Sequence, residues 1–238
     1  MDAGADCGDA PLVLAFDTAA SSCSVALARG AALIGYERRE MRHGHAEALL
    51  PMIERVAVAA GLAPSALDIV AVSRGPGGFT GIRAGLAAAQ GVALSASARL
   101  VGVTSFAAVA AHVPRRAETL CLVALDSRRD DLYVQLFDGA GGVLGEAAAV
   151  LPAMLPAFVA AAAGAAPLLL AGDAAAAAAA ALDGRAKVEI AADSAPDALG
   201  VLTAARALPA GQGAAPRALY LRPPDVSFPK APRPPGAA

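Results

Sequence analysis

A glycine-rich segment in the first half of the sequence has the residue types of an anion-binding loop. Residues 75–83 (GPGGFTGIR) follow an apolar, strand-like run and lead into a helical pattern. Glycines let backbone N–H groups approach a ligand closely, and the N-terminus of a helix favours an anion. The segment lacks the Gly-Lys-Ser/Thr ending of a P-loop and the glycine spacing of the dinucleotide fingerprint. It is therefore a candidate loop for a nucleotide or another anion, and a rigid crossover without a ligand is the alternative.

Two side chains in this segment support the anion interpretation. Thr80 is placed to cap the following helix. Arg83 falls in the first turn of that helix, where the dipole disfavours a cation and an external carboxylate or phosphate would be a suitable partner. Asp17 and Thr18, at the end of the first strand-like run, are assigned to the same candidate site. The alternative for Asp17 is that its side chain only caps its own turn. The full candidate set is Asp17, Thr18, Gly75, Gly77, Gly78, Phe79, Thr80 and Arg83.

The remaining polar groups form no catalytic or metal-ligating set. His43 and His45 flank Gly44 at a helix start, but no third ligand is evident, so we interpret them as solvated surface residues. Three histidines offer no Ser-His-Asp arrangement. The charged run 126–131 is interpreted as a solvated hairpin connection. We predict no catalytic residue, no metal site and no cofactor bound by this chain.

The composition describes a globular chain without a nucleic-acid-binding face of its own. Of the 238 residues, 57% are hydrophobic and 17% are charged, and the net charge of −2 comes without a basic block. Contacts to RNA would therefore belong to another subunit. Cys7, Cys23 and Cys121 form no C-x-x-C pair, which favours a reduced, cytoplasmic protein. No signal peptide is expected, and prolines interrupt the apolar stretch 147–171, so no membrane span is predicted.

Hydrophobic periodicity predicts an α/β chain in which one arrangement, strand-strand-strand-helix-strand-helix, occurs twice. The predicted strands are 12–16, 23–28, 32–37, 67–73, 100–103, 120–125, 132–137, 143–150, 167–171 and 187–190, and the predicted helices are 44–60, 81–96, 105–111, 152–163, 174–182 and 196–208. A duplicated β-β-β-α-β-α unit is the organisation of the actin-like superfamily (ASKHA, which includes Hsp70 and the sugar kinases). In that superfamily an aspartate at the position of Asp17 binds a metal ion or water beside nucleotide phosphates.

The pattern divides the chain into four parts. These are a polar leader (1–11), an N-terminal actin-like lobe (12–110), a C-terminal lobe (111–222) and a Pro-rich tail (223–238). The first three strands, joined by tight turns, predict an antiparallel meander. Pro51 should kink the first helix or mark its start.

Small residues recur at every fourth position of the second predicted helix. Gly81, Gly85 and Ala89 leave a smooth stripe, and a glycine in a helix interior costs about 1 kcal/mol relative to alanine. A close helix contact would offset that cost, either within the chain or with a partner.

Five short motifs stand in one order along the chain. They are Phe16-Asp17-Thr18, the run HAEALLPMI at 45–53, the segment 75–83, Leu125-Asp126-Ser127-Arg128 and the run PRALYLR at 216–222. In this order they resemble the TsaB (YeaZ) family, over roughly residues 12–225, and the segment 75–83 is the most specific of them.

The resemblance implies a two-lobed actin-like fold and a bacterial role in making threonylcarbamoyladenosine beside the anticodon of tRNA. TsaB-like proteins are the non-catalytic dimerisation subunit. Their paralogue TsaD transfers the threonylcarbamoyl group, and the small ATPase TsaE completes a complex that uses ATP/ADP and a divalent metal and reaches tRNA as a whole. The catalytic paralogue has an H-x-x-x-H metal motif, and its two histidine positions correspond to Ser105 and Val109, which cannot replace imidazole ligands.

The resemblance also implies a heterodimer interface on the first two helices, 47–59 and 81–92. The implied interface residues are Glu47, Leu49, Leu50, Met52, Ile53, Gly81, Gly85, Ala89 and Val92. On this hypothesis Gly85→Leu should abolish the heterodimer and leave the fold intact. The alternatives are a free-standing actin-fold kinase that uses ATP, and a homodimeric scaffold that uses the same helix face.

Overall fold

The computed structural model describes residues 10–114, 116–192, 194–208 and 216–222. The predicted tail (223–238) and nearly all of the predicted leader (1–11), with Cys7, lie outside the described residues. Every predicted strand and helix is present in the described part, with ends shifted by at most three residues.

The first sheet is built from the first half of the chain. Its strands are β1 (Leu12–Asp17), β2 (Ser22–Arg29), β3 (Ala32–Glu40), β4 (Ile69–Ser73) and β5 (Arg99–Val103), in the order β3-β2-β1-β4-β5. β1, β2 and β3 pair antiparallel, which confirms the predicted meander, and β4 is parallel to both β1 and β5. Helix α1 (His45–Ala59) links β3 to β4, and α2 (Phe79–Ala96) links β4 to β5. Pro51 lies inside α1, which begins at His45 rather than near the proline.

The second sheet repeats this arrangement. Its strands are β6 (Leu120–Asp126), β7 (Leu132–Phe137), β8 (Val143–Val150), β9 (Leu168–Ala171) and β10 (Val188–Ile190), in the order β10-β9-β6-β7-β8. Helix α3 (Ser105–His112) precedes β6, and α4 (Leu155–Ala163), α5 (Ala175–Ala181) and α6 (Ala198–Ala207) follow in chain order. The two lobes therefore have the same strand order and the same pairing directions, which confirms the duplicated unit.

The alternating side chains of β1 explain why the strand is apolar along its whole length. Leu12, Leu14 and Phe16 pack into the core shared with α1 and α2, whereas Val13 and Ala15 pack into a second core shared with α6. A strand that is covered on both faces reads as a continuous apolar run.

The last helix of each sequence half packs on the sheet of the other half. Helix α3 packs against β6 and β7 of the second sheet, and α6 packs against β1, β2, β4 and β5 of the first. The two helices also contact each other closely, because a Cβ on Gly200 of α6 would lie 2.5 Å from the Ala108 carbonyl oxygen of α3. The predicted boundary between residues 110 and 111 thus falls inside α3. The layers run from α1 and α2 through the first sheet, the α6–α3 pair and the second sheet to α4 and α5.

The apolar stretch 147–171 contributes to the second lobe. It contains the end of β8, a short 3-10 turn (Pro152–Met154), α4 and β9. Within the described residues, no helix is both long enough and apolar enough to cross a membrane.

Candidate functional site

The glycine-rich segment connects the end of β4 to α2. Helix α2 begins at Phe79, and its N-cap residue is Gly78, which makes no side-chain capping bond. The prediction that Thr80 caps this helix was wrong, because Thr80 lies within the first turn, one residue after the helix has begun.

The glycines of this segment are required by the rest of the chain, which passes very close to them. Gly75 has a φ of +95°, and a Cβ there would lie 2.8 Å from the Leu219 carbonyl oxygen. A Cβ on Gly77 would meet the backbone of Ala19, and one on Gly81 would meet the Thr18 carbonyl oxygen. Because these glycines have no side chains, neighbouring segments of this chain can pack directly against their backbone.

The predicted stripe on α2 likewise faces the interior. Gly81, Gly85 and Ala89 are buried, and a Cβ on Gly85 would meet the Thr18 hydroxyl. Of the two choices left open for this stripe, the intramolecular contact is the one present, so assigning these three residues to a partner was wrong. A leucine at Gly85 would clash with Thr18 and with Val72 of β4, so we now expect Gly85→Leu to destabilise the fold as well as any heterodimer.

The other predicted interface residues are divided between the core and the surface. Leu49 and Met52 of α1 are buried in the first core, at 1% and 0% exposure, and are not available to a partner. Glu47 and Leu50 are exposed, and Ile53 and Val92 are half-buried. The face predicted to bind a partner is thus partly the inner face of the two helices. A helix that covers a sheet buries its apolar stripe against that sheet.

Asp17 is fully buried at the turn between β1 and β2. Its Oδ1 accepts a hydrogen bond of 3.2 Å from the Ala20 amide, so Asp17 stabilises its own turn. Its Oδ2 lies next to the Ser73 hydroxyl, and neither atom makes a hydrogen bond of regular geometry with a described residue. Burial raises the pKa of Asp17 to about 6, against the smaller opposing effects of Ser73 and the Ala20 amide.

Thr18 is buried beside Asp17 and joins β1 to α2. The Thr18 hydroxyl donates a hydrogen bond of 2.8 Å to the Gly81 carbonyl oxygen. Asp17 therefore faces the packed interior. Thr18, although only 1% exposed, is among the residues that line a second cleft of about 390 Å³ beside Gly78 and Thr80.

Residues 216–222, here called the C-terminal strap, cross from one lobe to the other beside the glycine segment. The Leu219 amide donates to the Arg74 carbonyl oxygen at 2.7 Å. The Tyr220 ring lies against the Phe79 ring, tilted by 36°, with the ring centroids 5.4 Å apart. The Arg83 guanidinium lies 3.7 Å above the Phe79 ring and donates to the Tyr220 hydroxyl at 3.3 Å. Arg83 thus has internal partners at the position where an external anion was predicted.

The charged turn between β6 and β7 is more ordered than a solvated connection. Asp131 is 1% exposed, and its Oδ2 forms an ion pair of 2.6 Å with Arg222 of the strap. Arg128 has a φ of +60°, and its amide donates to Asp126 Oδ1 at 2.7 Å. The interpretation of this turn as merely solvated was wrong for Asp131. Its partner, Arg222, lies 91 residues further along the chain, and the charges near Asp131 in the sequence do not indicate that pairing.

A cleft of about 400 Å³ lies between this turn, the C-terminal strap and the glycine segment. We call it the arginine cleft. Its lining includes three arginines and three aromatic residues, namely Arg128, Arg129, Arg222, Phe79, Tyr133 and Tyr220, and none of its described lining residues is acidic. Tyr220 and Arg222 were identified in the sequence only as part of a family motif, and they were not predicted to lie at this site.

Beside the arginine cleft, the space directly between the β1–β2 turn and the β6–β7 turn is nearly closed. About 10 Å³ remains there, lined by Ala19, Ala20, Asp126, Arg128 and Asp173 among others. The Arg128 guanidinium approaches the Ala20 carbonyl oxygen at 3.4 Å. That volume is close to the minimum for a single water molecule, so the residues do not fit a nucleotide with its metal ion in this arrangement.

The two neighbouring histidines differ in their surroundings. His45 is 8% exposed, and its Nε2 lies 3.2 Å from the Ala20 carbonyl oxygen, whereas His43 is exposed. Burial lowers the pKa of His45. The solvated interpretation was wrong for His45 and holds for His43. Across the described ranges, no three His, Cys, Asp or Glu side chains come together as a metal-ligand set.

The α3 residues that correspond to the metal ligands of the catalytic paralogue are buried. Ser105 is 1% exposed and Val109 is 2% exposed. Val109 packs with Phe106 into the core between α3 and the second sheet. Neither side chain carries an imidazole, and Ser105 borders only a small space of about 10 Å³ between the β1–β2 turn and the β6–β7 turn.

The duplicated sheets, with a turn from each lobe facing the other, define an α/β protein of the actin-like class. A family model described as "TsaD: tRNA N6-adenosine threonylcarbamoyltransferase" matches residues 39–221. The structure is similar to that of YeaZ from Pseudomonas aeruginosa, with 30% identity and a TM-score of 0.70 over 82% of this chain and 91% of that one. The chain belongs to the family that this model describes, and within it to the TsaB (YeaZ) proteins.

Further relatives agree with this assignment. A Pseudomonas aeruginosa structure described as an uncharacterized protein with similarity to peptidase YEAZ has 29% identity and a TM-score of 0.74, over 89% of this chain and 100% of that one. The tRNA threonylcarbamoyladenosine biosynthesis protein TsaB of Escherichia coli (strain K12) is 34% identical over 122 residues, which are 51% of this chain and 52% of that protein. The chain spans about half the length of the curated relatives it matches.

Proposed function

We propose that this chain is the non-catalytic partner subunit in the N6-threonylcarbamoyladenosine modification of tRNA. It pairs with the TsaD paralogue as a heterodimer in the cytoplasm, together with the TsaE ATPase, and tRNA is engaged through the complex. ATP or ADP and a divalent metal belong to the wider complex rather than to this chain. The observation that carries the proposal is the pair Ser105 and Val109 on α3, in a chain that belongs to the TsaB (YeaZ) proteins.

The chemistry of α3 supports a non-catalytic role. A transferase that depends on a metal held by H-x-x-x-H needs two imidazoles on one helical face. This chain has a hydroxyl and an isopropyl group there, both buried. A kinase activity is disfavoured by the burial of Asp17 and by the small volume between the β1–β2 turn and the β6–β7 turn.

The outer face of α1 and α2 is the proposed partner surface. Leu50 and Val58 of α1 are 54% and 72% exposed, and Leu94 of α2 is 84% exposed. Of the predicted interface residues, Glu47, Leu50, Ile53 and Val92 are at least partly exposed, and Val58 and Leu94 are additions from the structure. Exposed apolar side chains on two adjacent helices favour a protein partner.

Reconstitution of the modification reaction tests the proposal. Purified TsaD paralogue, TsaE ATPase and tRNA should modify adenosine with this chain present and fail to do so without it. Turnover by this chain alone, or full modification in its absence, would refute the subunit role.

A charge placed on the proposed surface tests the interface itself. Leu50→Glu should abolish co-elution with the TsaD paralogue, because a buried unpaired carboxylate is costly. Ile190→Glu is the matched control, since Ile190 of β10 is equally exposed at 53% on the other lobe. Size-exclusion chromatography of the isolated chain distinguishes the homodimeric scaffold, which would be disrupted by the same Leu50 variant and would need no paralogue.

A further inference from the structure

We infer that an apolar groove on the second lobe is the docking site for the segment that directly follows the C-terminal strap, with Val226 and Phe228 as the side chains that enter it. Residues 223–238 lie outside the described residues. The groove, the position of Arg222 and the sequence after it carry the inference. Such docking takes place within this chain and needs no catalytic subunit.

The groove lies at the end of β8, the edge strand of the described second sheet, and has a volume of about 430 Å³. Its lining residues, all with apolar side chains, are Ala149, Val150, Leu151, Met154, Ala157 and Phe158. Leu151 and Met154 are 50% and 58% exposed. Exposed apolar side chains that line one groove mark an interaction site, and a methionine adapts its shape to what binds. The groove therefore fits an apolar segment rather than a charged ligand.

The last described residue of the strap lies beside this groove. Arg222 forms its ion pair with Asp131, the residue before β7, and lines the arginine cleft together with Tyr133 of β7. Tyr133 pairs with Ala149 of β8, which lines the groove. Neighbouring strands are about 4.8 Å apart, so the arginine cleft and the groove are separated by the width of a single strand pair.

The residues after Arg222 supply apolar side chains within reach of the groove. Residues 223–229 have the sequence PPDVSFP, in which Val226 and Phe228 are two positions apart. In an extended chain, residues two apart point to the same side, and prolines favour an extended backbone. Six extended residues span about 20 Å, which is several times the spacing between two strands.

The chain's own segment is favoured over a second copy of the chain as the occupant. A tethered segment meets the groove at an effective concentration on the order of millimolar. A second copy would have to give up translational and rotational freedom in order to bind. Docking holds the C-terminal strap at a further point, beyond the ion pair between Arg222 and Asp131.

NMR of the methionine methyl groups in the full chain tests the docking. The sequence has four methionines, and Met154→Leu identifies the Met154 signal. A phenylalanine ring in the groove shifts that signal, so Phe228→Ala should move it. The signal of Met52, which is buried in the first core, should stay unchanged. Pro234→Ala is the matched control in the same tail and should leave the Met154 signal at its wild-type position.

A peptide added in trans identifies the occupant. A synthetic peptide of residues 223–230, titrated into the Phe228→Ala chain, should return the Met154 signal to its wild-type position in a saturable way. It should bind the wild-type chain at least tenfold more weakly, because the chain's own segment competes for the groove. None of these measurements involves the TsaD paralogue, so they are independent of the reconstitution result.

Three results would overturn the inference. The first is a Met154 signal that Phe228→Ala leaves unchanged. The second is a peptide that does not bind saturably, or that binds the wild type and the variant equally. The third is a wild-type Met154 signal that moves with protein concentration, which would identify a second copy of the chain as the occupant.

Discussion

The Thr18 hydroxyl donates a hydrogen bond of 2.8 Å to the Gly81 carbonyl oxygen, and the Thr18 carbonyl oxygen occupies the space that a Cβ on Gly81 would need. These residues lie 63 positions apart and join the end of β1 to the first turn of α2. The most specific motif of the sequence therefore serves first to bring two backbones together.

Gly81→Ala should destabilise the chain by about 3 kcal/mol, because the added methyl group meets a backbone oxygen that cannot rotate away. The matched control is Gly91→Ala in the same helix, where nothing lies within 4 Å of the added Cβ. That change should stabilise the chain by about 0.5–1 kcal/mol, because alanine is the better helix former. Urea unfolding of both variants measures the difference, and equal effects at the two positions would contradict the close contact.

Asp17→Asn should stabilise the chain at pH 7 and have little effect near pH 4. Burial raises the pKa of Asp17 in the folded chain from 3.8 to about 6, so the folded state binds the proton more tightly than the unfolded state does. The stabilising contribution of the protonated form is present below pH 4 and is lost as the pH rises through 6. Asparagine is neutral throughout, so the gain at pH 7 should be at most about 3 kcal/mol. Urea unfolding between pH 4 and 7 tests this, and a gain that is independent of pH would refute the titration of Asp17.

Arg222→Gln should loosen the C-terminal strap. The change leaves the buried Asp131 carboxylate without its partner, at a cost of about 1–3 kcal/mol, since the Arg222 side chain is 41% exposed. Hydrogen exchange of the Leu219 amide, which bonds to the Arg74 carbonyl oxygen, should become faster. Arg116→Gln breaks the exposed ion pair with Glu189 and serves as control, with an expected loss below about 1 kcal/mol. Unchanged Leu219 exchange in the Arg222 variant would show that the strap does not depend on this ion pair.

Gly200→Ala should weaken the contact between α3 and α6. The new methyl group would lie 2.5 Å from the Ala108 carbonyl oxygen, so the helices must separate, at a cost of about 1–3 kcal/mol. Differential scanning calorimetry measures the loss. Because this contact joins helices that cover opposite sheets, both lobes should lose stability together. A separate, earlier transition of one lobe would argue against that coupling.

Hydrophobic periodicity predicted the strands and helices well, because the spacing of apolar residues within each element depends on that element alone. The run at 12–16 is apolar throughout, as expected of β1 between two helical layers. The repeat of turns and helices also sufficed to predict the duplicated lobes. Periodicity did not predict which sheet α3 and α6 would cover, because an apolar stripe does not specify the surface that it meets.

The candidate site was predicted less completely, for a related reason. The glycines at Gly75, Gly77 and Gly81 correctly signalled a close approach, but the approaching groups, Leu219, Ala19 and Thr18, are distant in sequence. The partners of Arg83 and Asp131 are distant in the same way, at Tyr220 and Arg222. A single sequence gives the chemical type of such residues, whereas their partners depend on tertiary packing.

The crossing of α3 and α6 between the lobes also bears on synthesis of the chain. The first sheet is complete in sequence at Val103, yet one of its faces stays bare until residues 198–207 have left the ribosome. Val13, Ala15 and Val101 would face water, or a chaperone, during translation of the whole second half. The N-terminal lobe therefore matures only after α6 has been made, and a message truncated before α6 would yield a product with an open core and a short lifetime in the cell.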